Sequence, residues 1–115
     1  MKILVTGGCG FIGSHVAEFY ASRGETVTVL DDLSSGSRAN ITAIRKKIRL
    51  VLGDIRDAGL VRRLLRQSDA VIHLAAIASV PLSLQDPQRC HDVNVTGSLN
   101  VLHAALAAPG QPKII

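Results

Sequence analysis

The sequence predicts an α/β protein built on a parallel, doubly wound sheet. Three observations carry that expectation. Short apolar runs rich in Val, Ile and Leu alternate with helix-spaced stretches along the chain. Three glycines spaced three apart, Gly7, Gly10 and Gly13, join the first apolar run to the first helical stretch. The second apolar run ends in a carboxylate, Asp31, eighteen residues beyond Gly13.

The elements follow in order. Lys2 to Thr6 is a strand. Phe11 to Arg23 is a helix, with Phe11, Ile12, His15, Val16 and Phe19 spaced along one side and Gly24 as its stop. Thr26 to Leu30 is the second strand. Asp32 to Ser37, rich in Asp, Ser and Gly, is a loop, and Asn40 to Lys46 is a short helix. Ile48 to Leu52 is the third strand, closing on Gly53-Asp54. Asp57 caps a helix through Gln67, whose Leu60, Val61, Leu64 and Leu65 face the core. Ala70 to Leu74 is the fourth strand, followed by Ala75-Ala76. Ile77 to Pro87, with two prolines, reads as a loop. Gln88 to Ala108 reads as one long helix stopped by Pro109-Gly110, and Lys113-Ile114-Ile115 as the opening of a fifth strand.

Right-handed crossovers give these strands the order 3-2-1-4, with the fifth barely begun. This is a Rossmann-type doubly wound parallel sheet, truncated at the start of its fifth strand. At 115 residues the chain makes one domain at most. Ligands of such sheets bind at the carboxyl ends of the strands, where the strand order reverses. Thr6, Asp31, Asp54 and Ala75 are all expected at those ends.

The glycine turn has the layout of a dinucleotide-binding βα turn, spaced GxxGxxG rather than the usual GxGxxG. Gly7 lets the chain leave the strand sharply. Gly10, lacking a Cβ, lets a pyrophosphate approach the backbone, and Gly13 lets the helix pack closely on the strand. Helix N–H groups and the positive end of the helix dipole then face the phosphates. Asp31 lies where a carboxylate hydrogen-bonds a ribose diol and repels a 2′-phosphate, which favours NAD over NADP. Arg38 is the nearest base that would reverse that preference. Asp32 either shares the ribose or caps the loop that follows.

Composition narrows the function classes. Apolar residues make up 47% of the chain, but Phe11, Phe19 and Tyr20 are its only aromatics, so the core is Val, Ile, Leu and Ala. The net charge of +4 comes mainly from two clusters, Arg45, Lys46, Lys47 and Arg49, and Arg62, Arg63 and Arg66. No aromatics interleave with them, so solvated helix faces are expected rather than a nucleic-acid site. The apolar runs are too broken to span a membrane. The N-terminus enters the first strand directly, leaving no room for a signal peptide, and a cytoplasmic protein is expected. Cys9 and Cys90 are lone thiols, and no disulfide is expected. Cys9 sits at a helix N-terminus, which can lower a thiol's pKa, but it reads as a small residue filling a crowded loop. His15, His91 and His103 show no metal-ligand spacing, so no metal site is expected. His73, in an apolar strand, reads as a satisfied core residue.

The run Thr6-Gly7-Gly8-Cys9-Gly10-Phe11-Ile12-Gly13-Ser14-His15 resembles the start of an extended short-chain dehydrogenase/reductase. More closely it resembles the NAD-dependent epimerase/dehydratase family acting on nucleotide sugars. Leu30 to Gly36, Gly53 to Asp57, Val71 to Ala76, Ala78 to Pro81 with Asp86-Pro87, and Asn94 to Gly97 carry the same resemblance. The loop from Ala78 to Pro87 is most similar to the UDP-glucose 4-epimerase branch. The resemblance implies that Gly7, Gly10, Phe11, Ile12 and Gly13 cradle the pyrophosphate of NAD. Asp31 would bind the adenosine ribose, with Asp32, Ser35 and Gly36 beside it. Asp32 stands where the family often has Asn. Asp54 and Ile55 would meet the adenine, and Leu74, Ala75 and Ala76 would line the trough. Asn94 would buttress the nicotinamide half, or simply hydrogen-bond a neighbouring loop. Ser79 and Val80 would lie where the sugar nucleotide approaches.

The resemblance also implies a Ser or Thr after the fifth strand and a Tyr-x-x-x-Lys on the next helix to move the proton. The single tyrosine, Tyr20, is followed four residues later by Gly24 and reads as packing. No catalytic residue and no substrate domain are therefore expected in these residues. Two readings stay open. One is the NAD-binding portion of a nucleotide-sugar epimerase or dehydratase, with a nucleotide-sugar substrate in the intact enzyme and room for a homodimer. The other is a non-catalytic NAD-binding or protein-interaction module. Under either, the apolar strand edge at Lys113 to Ile115 invites association.

Overall fold

Alternate side chains of the first strand, β1 (Lys2–Thr6), point to opposite faces of a sheet, and both faces are buried. Ile3 and Val5 lie in one apolar layer and Leu4 in the other. The computed structural model describes residues 1–115. β1 is joined by β2 (Thr26–Asp31), β3 (Ile48–Leu52), β4 (Ala70–His73) and β5 (Lys113–Ile114). All pairings are parallel, and the order is β3-β2-β1-β4-β5. The order reverses between β1 and β4, as expected for a doubly wound Rossmann-type sheet. β5 pairs Lys113 with Ala70 and Ile114 with Val71.

The first layer lies under α1 (Phe11–Ser22) and a 3₁₀ helix at Arg38–Ile44. The second lies under α2 (Ala58–Leu65) and α5 (Ser98–Ala107). Asp57 caps α2 as expected, its carboxylate accepting from the Leu60 N–H at 3.0 Å. No helix is long and apolar enough to cross a membrane.

The structure corrects the sequence reading in three places and settles the orientation of α1, which that reading left open. The face of α1 on the sheet is Gly13, Ser14, Ala17 and Ala21, while Phe11, Ile12 and Phe19 are exposed. Close packing of the helix on the strands selects the small residues, so the larger apolar stripe ends up outside. The segment expected as a loop, Ile77 to Pro87, holds a helix, α3 (Val80–Gln85). Ser79 caps it and Pro81 sits in its first turn, where a missing N–H costs nothing. The expected long helix, Gln88 to Ala108, is three pieces: α4 (Pro87–His91), a π-helical stretch at Asp92–Gly97, and α5. A π turn adds one residue to a turn, which apolar periodicity does not register. The short helix expected at Asn40 to Lys46 is the 3₁₀ helix, begun earlier by Ser37, whose side chain accepts from the Ala39 N–H.

Candidate functional site

The carboxyl ends of β1, β2, β3 and β4 open on one shared cleft. Its floor is the glycine turn. Gly7 takes φ +70°, and its N–H donates to the Leu30 carbonyl at 2.8 Å. The Gly10 N–H then donates to the Gly7 carbonyl at 3.1 Å, which closes the turn. Gly13 packs so tightly that a Cβ there would stand 2.1 Å from the Gly7 carbonyl oxygen. At the amino end of α1, the N–H groups of Phe11, Ile12 and Gly13 make no hydrogen bond within the chain.

Asp31 closes one side, 7% exposed. Its carboxylate accepts from the Cys9 N–H and from the Leu33 N–H, each at 2.8 Å. Leu33 takes φ +60°, a left-handed conformation that this hydrogen bond holds in place. Asp31 thus braces the glycine turn from the end of β2 as well as facing the cleft. Cys9 is fully buried, and burial, followed by the charge of Asp31, pushes its thiol up to about 11. It packs and does not react. The Asp32 carboxylate accepts from the backbone N–H and the hydroxyl of Ser34, at 2.9 and 2.7 Å, so it caps the loop.

Asp54 stands at the end of β3 and is held by Arg56. Its Oδ2 accepts from the Arg56 guanidinium at 2.6 and 2.9 Å, and its Oδ1 from the Arg56 N–H at 2.8 Å. These hydrogen bonds hold the carboxyl below the usual carboxylate range. Of the remaining expected residues, Ser35, Gly36, Ile55, Leu74, Ala75 and Ala76 line the cleft beside Gly7, Gly10, Asp31 and Asp32.

Five expected residues lie elsewhere. The side chains of Phe11 and Ile12, 80% and 63% exposed, line a separate apolar groove on α1 with Phe19 and Ile115. Ser79 is the cap of α3, its hydroxyl accepting from the Leu82 N–H at 3.3 Å, and Val80 is exposed. Asn94 does not line the cleft either. It grips the wall from behind: its Oδ1 accepts from the Ile77 N–H at 2.8 Å, and its Nδ2 donates to the Ile77 carbonyl at 2.9 Å. Asn94→Ala is expected to cost about 1 kcal/mol in denaturant unfolding. It is also expected to speed exchange of the Ile77 amide about tenfold. Unchanged exchange would show that the wall does not depend on this clamp.

Sequence reasoning missed Leu30, Ser34, Gly53, Ile77, Arg89 and Val93, which also line the cleft. Leu30, Ser34, Gly53 and Ile77 each neighbour an expected residue. Arg89, on α4, and Val93, in the π-helical stretch, are four residues apart and reach the cleft from the region expected as one long helix. Arg89 is a nearby cation that helps keep Asp54 ionised.

An open glycine turn at a helix N-terminus, a strand-end carboxylate and a doubly wound sheet recur together in known proteins. The model of the NAD dependent epimerase/dehydratase family matches residues 3–115. A dTDP-glucose 4,6-dehydratase from Mycolicibacterium smegmatis is 44% identical over 107 residues, covering 90% of this chain and 32% of the relative. A UDP-glucose 4-epimerase from Lactobacillus helveticus is 43% identical over 106 residues, covering 90% and 31%. The crystal structure of Thermus thermophilus UDP-glucose 4-epimerase with NAD superposes with a TM-score of 0.81 at 44% identity, over 91% of this chain and 33% of that one. The NAD complex of the Brucella ovis UDP-glucose 4-epimerase gives 0.82 at 35% identity, over 95% and 33%. The chain thus spans about a third of the length of the relatives it matches. With the family model covering nearly every residue from β1 to β5, the chain belongs to the NAD dependent epimerase/dehydratase family.

Proposed function

We propose that residues 1–115 form the cofactor-binding portion of a nucleotide-sugar epimerase or dehydratase, and that the cleft takes NAD. The observation that carries this reading is the convergence of the open glycine turn and Asp31 on one cleft. A Cβ added at Gly10 would meet only the Gly7 carbonyl oxygen, at 3.3 Å, so the space above the turn admits a phosphate. The unpaired N–H groups of Phe11, Ile12 and Gly13 face that space, so the backbone of these residues, not their side chains, holds the pyrophosphate.

The other roles follow from position. Asp31 accepts from the ribose hydroxyls, with Ser35 and Gly36 beside it, while Asp32 shapes the loop. Asp54 and Ile55 flank the adenine, the carboxylate keeping lone pairs beyond those Arg56 uses. Leu74, Ala75 and Ala76 form the apolar wall that Asn94 steadies. Ser79 and Val80 lie beyond that wall, toward the sugar nucleotide. NAD, when bound, supplies a hydride acceptor. These residues bind and orient.

Calorimetry with NAD and with NADP on the chain tests the reading. NAD is expected to bind, and NADP about tenfold more weakly or worse, because a 2′-phosphate would face the Asp31 carboxylate. Equal affinities would overturn the ribose assignment.

A further inference from the structure

His73 ends β4 with its ring between two hydroxyl groups, and the surrounding hydrogen bonds fix where every proton sits. The Ser98 hydroxyl donates to the Asn94 carbonyl at 2.7 Å, so toward the ring it is an acceptor. Nε2 of His73 lies 2.9 Å from it and therefore carries the proton. On the other side, the Thr6 hydroxyl accepts from the Leu74 and Ala75 N–H groups at 3.1 and 3.2 Å. Its own proton points to Nδ1 of His73, 2.7 Å away. The neutral Nε2–H imidazole satisfies every member of this network.

Both arms end on the same piece of chain. Through Thr6 the ring reaches the N–H groups of Leu74 and Ala75. Through Ser98 it reaches the π-helical stretch at Asn94, whose side chain grips Ile77 from behind. Leu74 to Ile77 is the wall of the cleft. A second proton, on Nδ1, would face an oxygen whose acceptor capacity the Leu74 and Ala75 N–H groups already use. Thr6 is fully buried, so no water replaces what it would have to give up.

We propose that the neutral His73 imidazole is the strut that holds the Leu74–Ile77 wall in its binding shape, and that protonation of the ring loosens this wall and weakens cofactor binding. The cofactor half of this statement rests on the reading of the cleft as an NAD site. His73 is a positioning residue, since its ring acts on the wall through Thr6, Ser98 and Asn94.

Few charges face the ring. On β1 the one charged side chain is Lys2, at the opposite end of the strand. On β5 it is Lys113, paired beside Ala70, and the Ile115 carbonyl just beyond accepts from the His73 N–H at 2.8 Å. On the helix carrying Ser98 they are His103, which is exposed, and Asp92, engaged by the Gln88 amide at 2.8 Å. Burial accordingly lowers the ring's pKa with no charge contributing. A histidine depressed in the fold adds stability that is complete above its unfolded value of about 6.5 and is lost as the pH falls through the folded value.

The test is a pH series on the full chain. Long-range ¹H–¹⁵N NMR locates the tautomer and the pH of half-protonation of His73. Amide shifts follow Leu74, Ala75 and Ile77, and calorimetry gives the NAD affinity about a unit on either side of the midpoint. The expected results are an Nε2–H tautomer, wall amides that titrate with the ring, and an affinity about fivefold weaker on the acid side. In His73→Asn, which keeps an acceptor toward Thr6 but does not titrate, the affinity is expected to stay flat over the same range. An Nδ1–H tautomer, wall amides indifferent to the ring, or an equal acid-side loss in His73→Asn would overturn the strut. Wall amides that track the ring in a chain that binds no NAD would uphold the strut and overturn the cofactor reading. Should His73→Asn fail to fold, the wild-type tautomer and amide titrations decide alone.

Discussion

Gly13→Ala is expected to lower stability by about 2 kcal/mol, lowering the melting temperature by roughly 10 °C, and to weaken NAD binding at least tenfold. The new methyl would stand 2.1 Å from the Gly7 carbonyl oxygen, 2.7 Å from Gly8 Cα and 2.8 Å from the Gly7 carbonyl carbon. All three are backbone atoms, so no side chain can swing aside. Either α1 backs away from β1, opening the layer around Ala17 and Ala21, or the turn itself collapses. The helix propensity of alanine returns only about 1 kcal/mol. Gly10→Ala makes the informative contrast. Its methyl meets one atom at 3.3 Å, so the melt is expected to change little while the phosphate space is filled and binding falls. Gly24→Ala is the control for backbone strain alone, with φ +82° and nothing nearby. It is expected to leave binding intact. Gly10→Ala that binds NAD as well as the wild type would remove the pyrophosphate from above this turn.

The contrast between these glycines also marks how far sequence reasoning reaches. Strand order and the βα turn were legible because each rests on one local rule: alternating apolar segments for the sheet, glycine spacing for the turn. The positions of Asp31 and of Ala75 and Ala76 followed from the strand ends. The orientation of α1 did not, because the apolar stripe from Phe11 to Phe19 is the stronger periodic signal and the sheet selects the small face instead. The second structural job of Asp31 was hidden for a different reason. Its hydrogen bonds to Cys9 and Leu33 join segments that only the folded chain brings together. The sequence reading did allow Asn94 a hydrogen bond to a neighbouring loop, and that loop is Ile77; the double partnership of the His73 ring was not foreseen. His73 is one polar residue in an apolar stretch, and its partners at Thr6 and Ser98 are set by the crossover geometry. Arg89 was missed because the expected long helix from Gln88 gave no sign of the breaks that turn α4 toward the cleft.

Asp31→Ala is expected to abolish the preference for NAD over NADP, bringing the ratio of affinities from about tenfold to near one. It is also expected to cost about 2 kcal/mol of stability, since the Cys9 and Leu33 N–H groups lose their acceptor in a buried place. Those two effects must be separated, because a loosened glycine turn would by itself weaken any dinucleotide. The ratio does separate them: loosening acts equally on both cofactors, whereas removing the carboxylate relieves repulsion only for the one bearing a 2′-phosphate. Asp31→Asn refines the comparison. It keeps one oxygen for the brace but presents an amide N–H to the other donor, so stability is expected to fall part of the way while the charge is gone entirely. A preference for NAD that collapses in both variants ties discrimination to the charge. A preference that survives in both, with affinity for the two cofactors falling together, would assign Asp31 to bracing the turn alone.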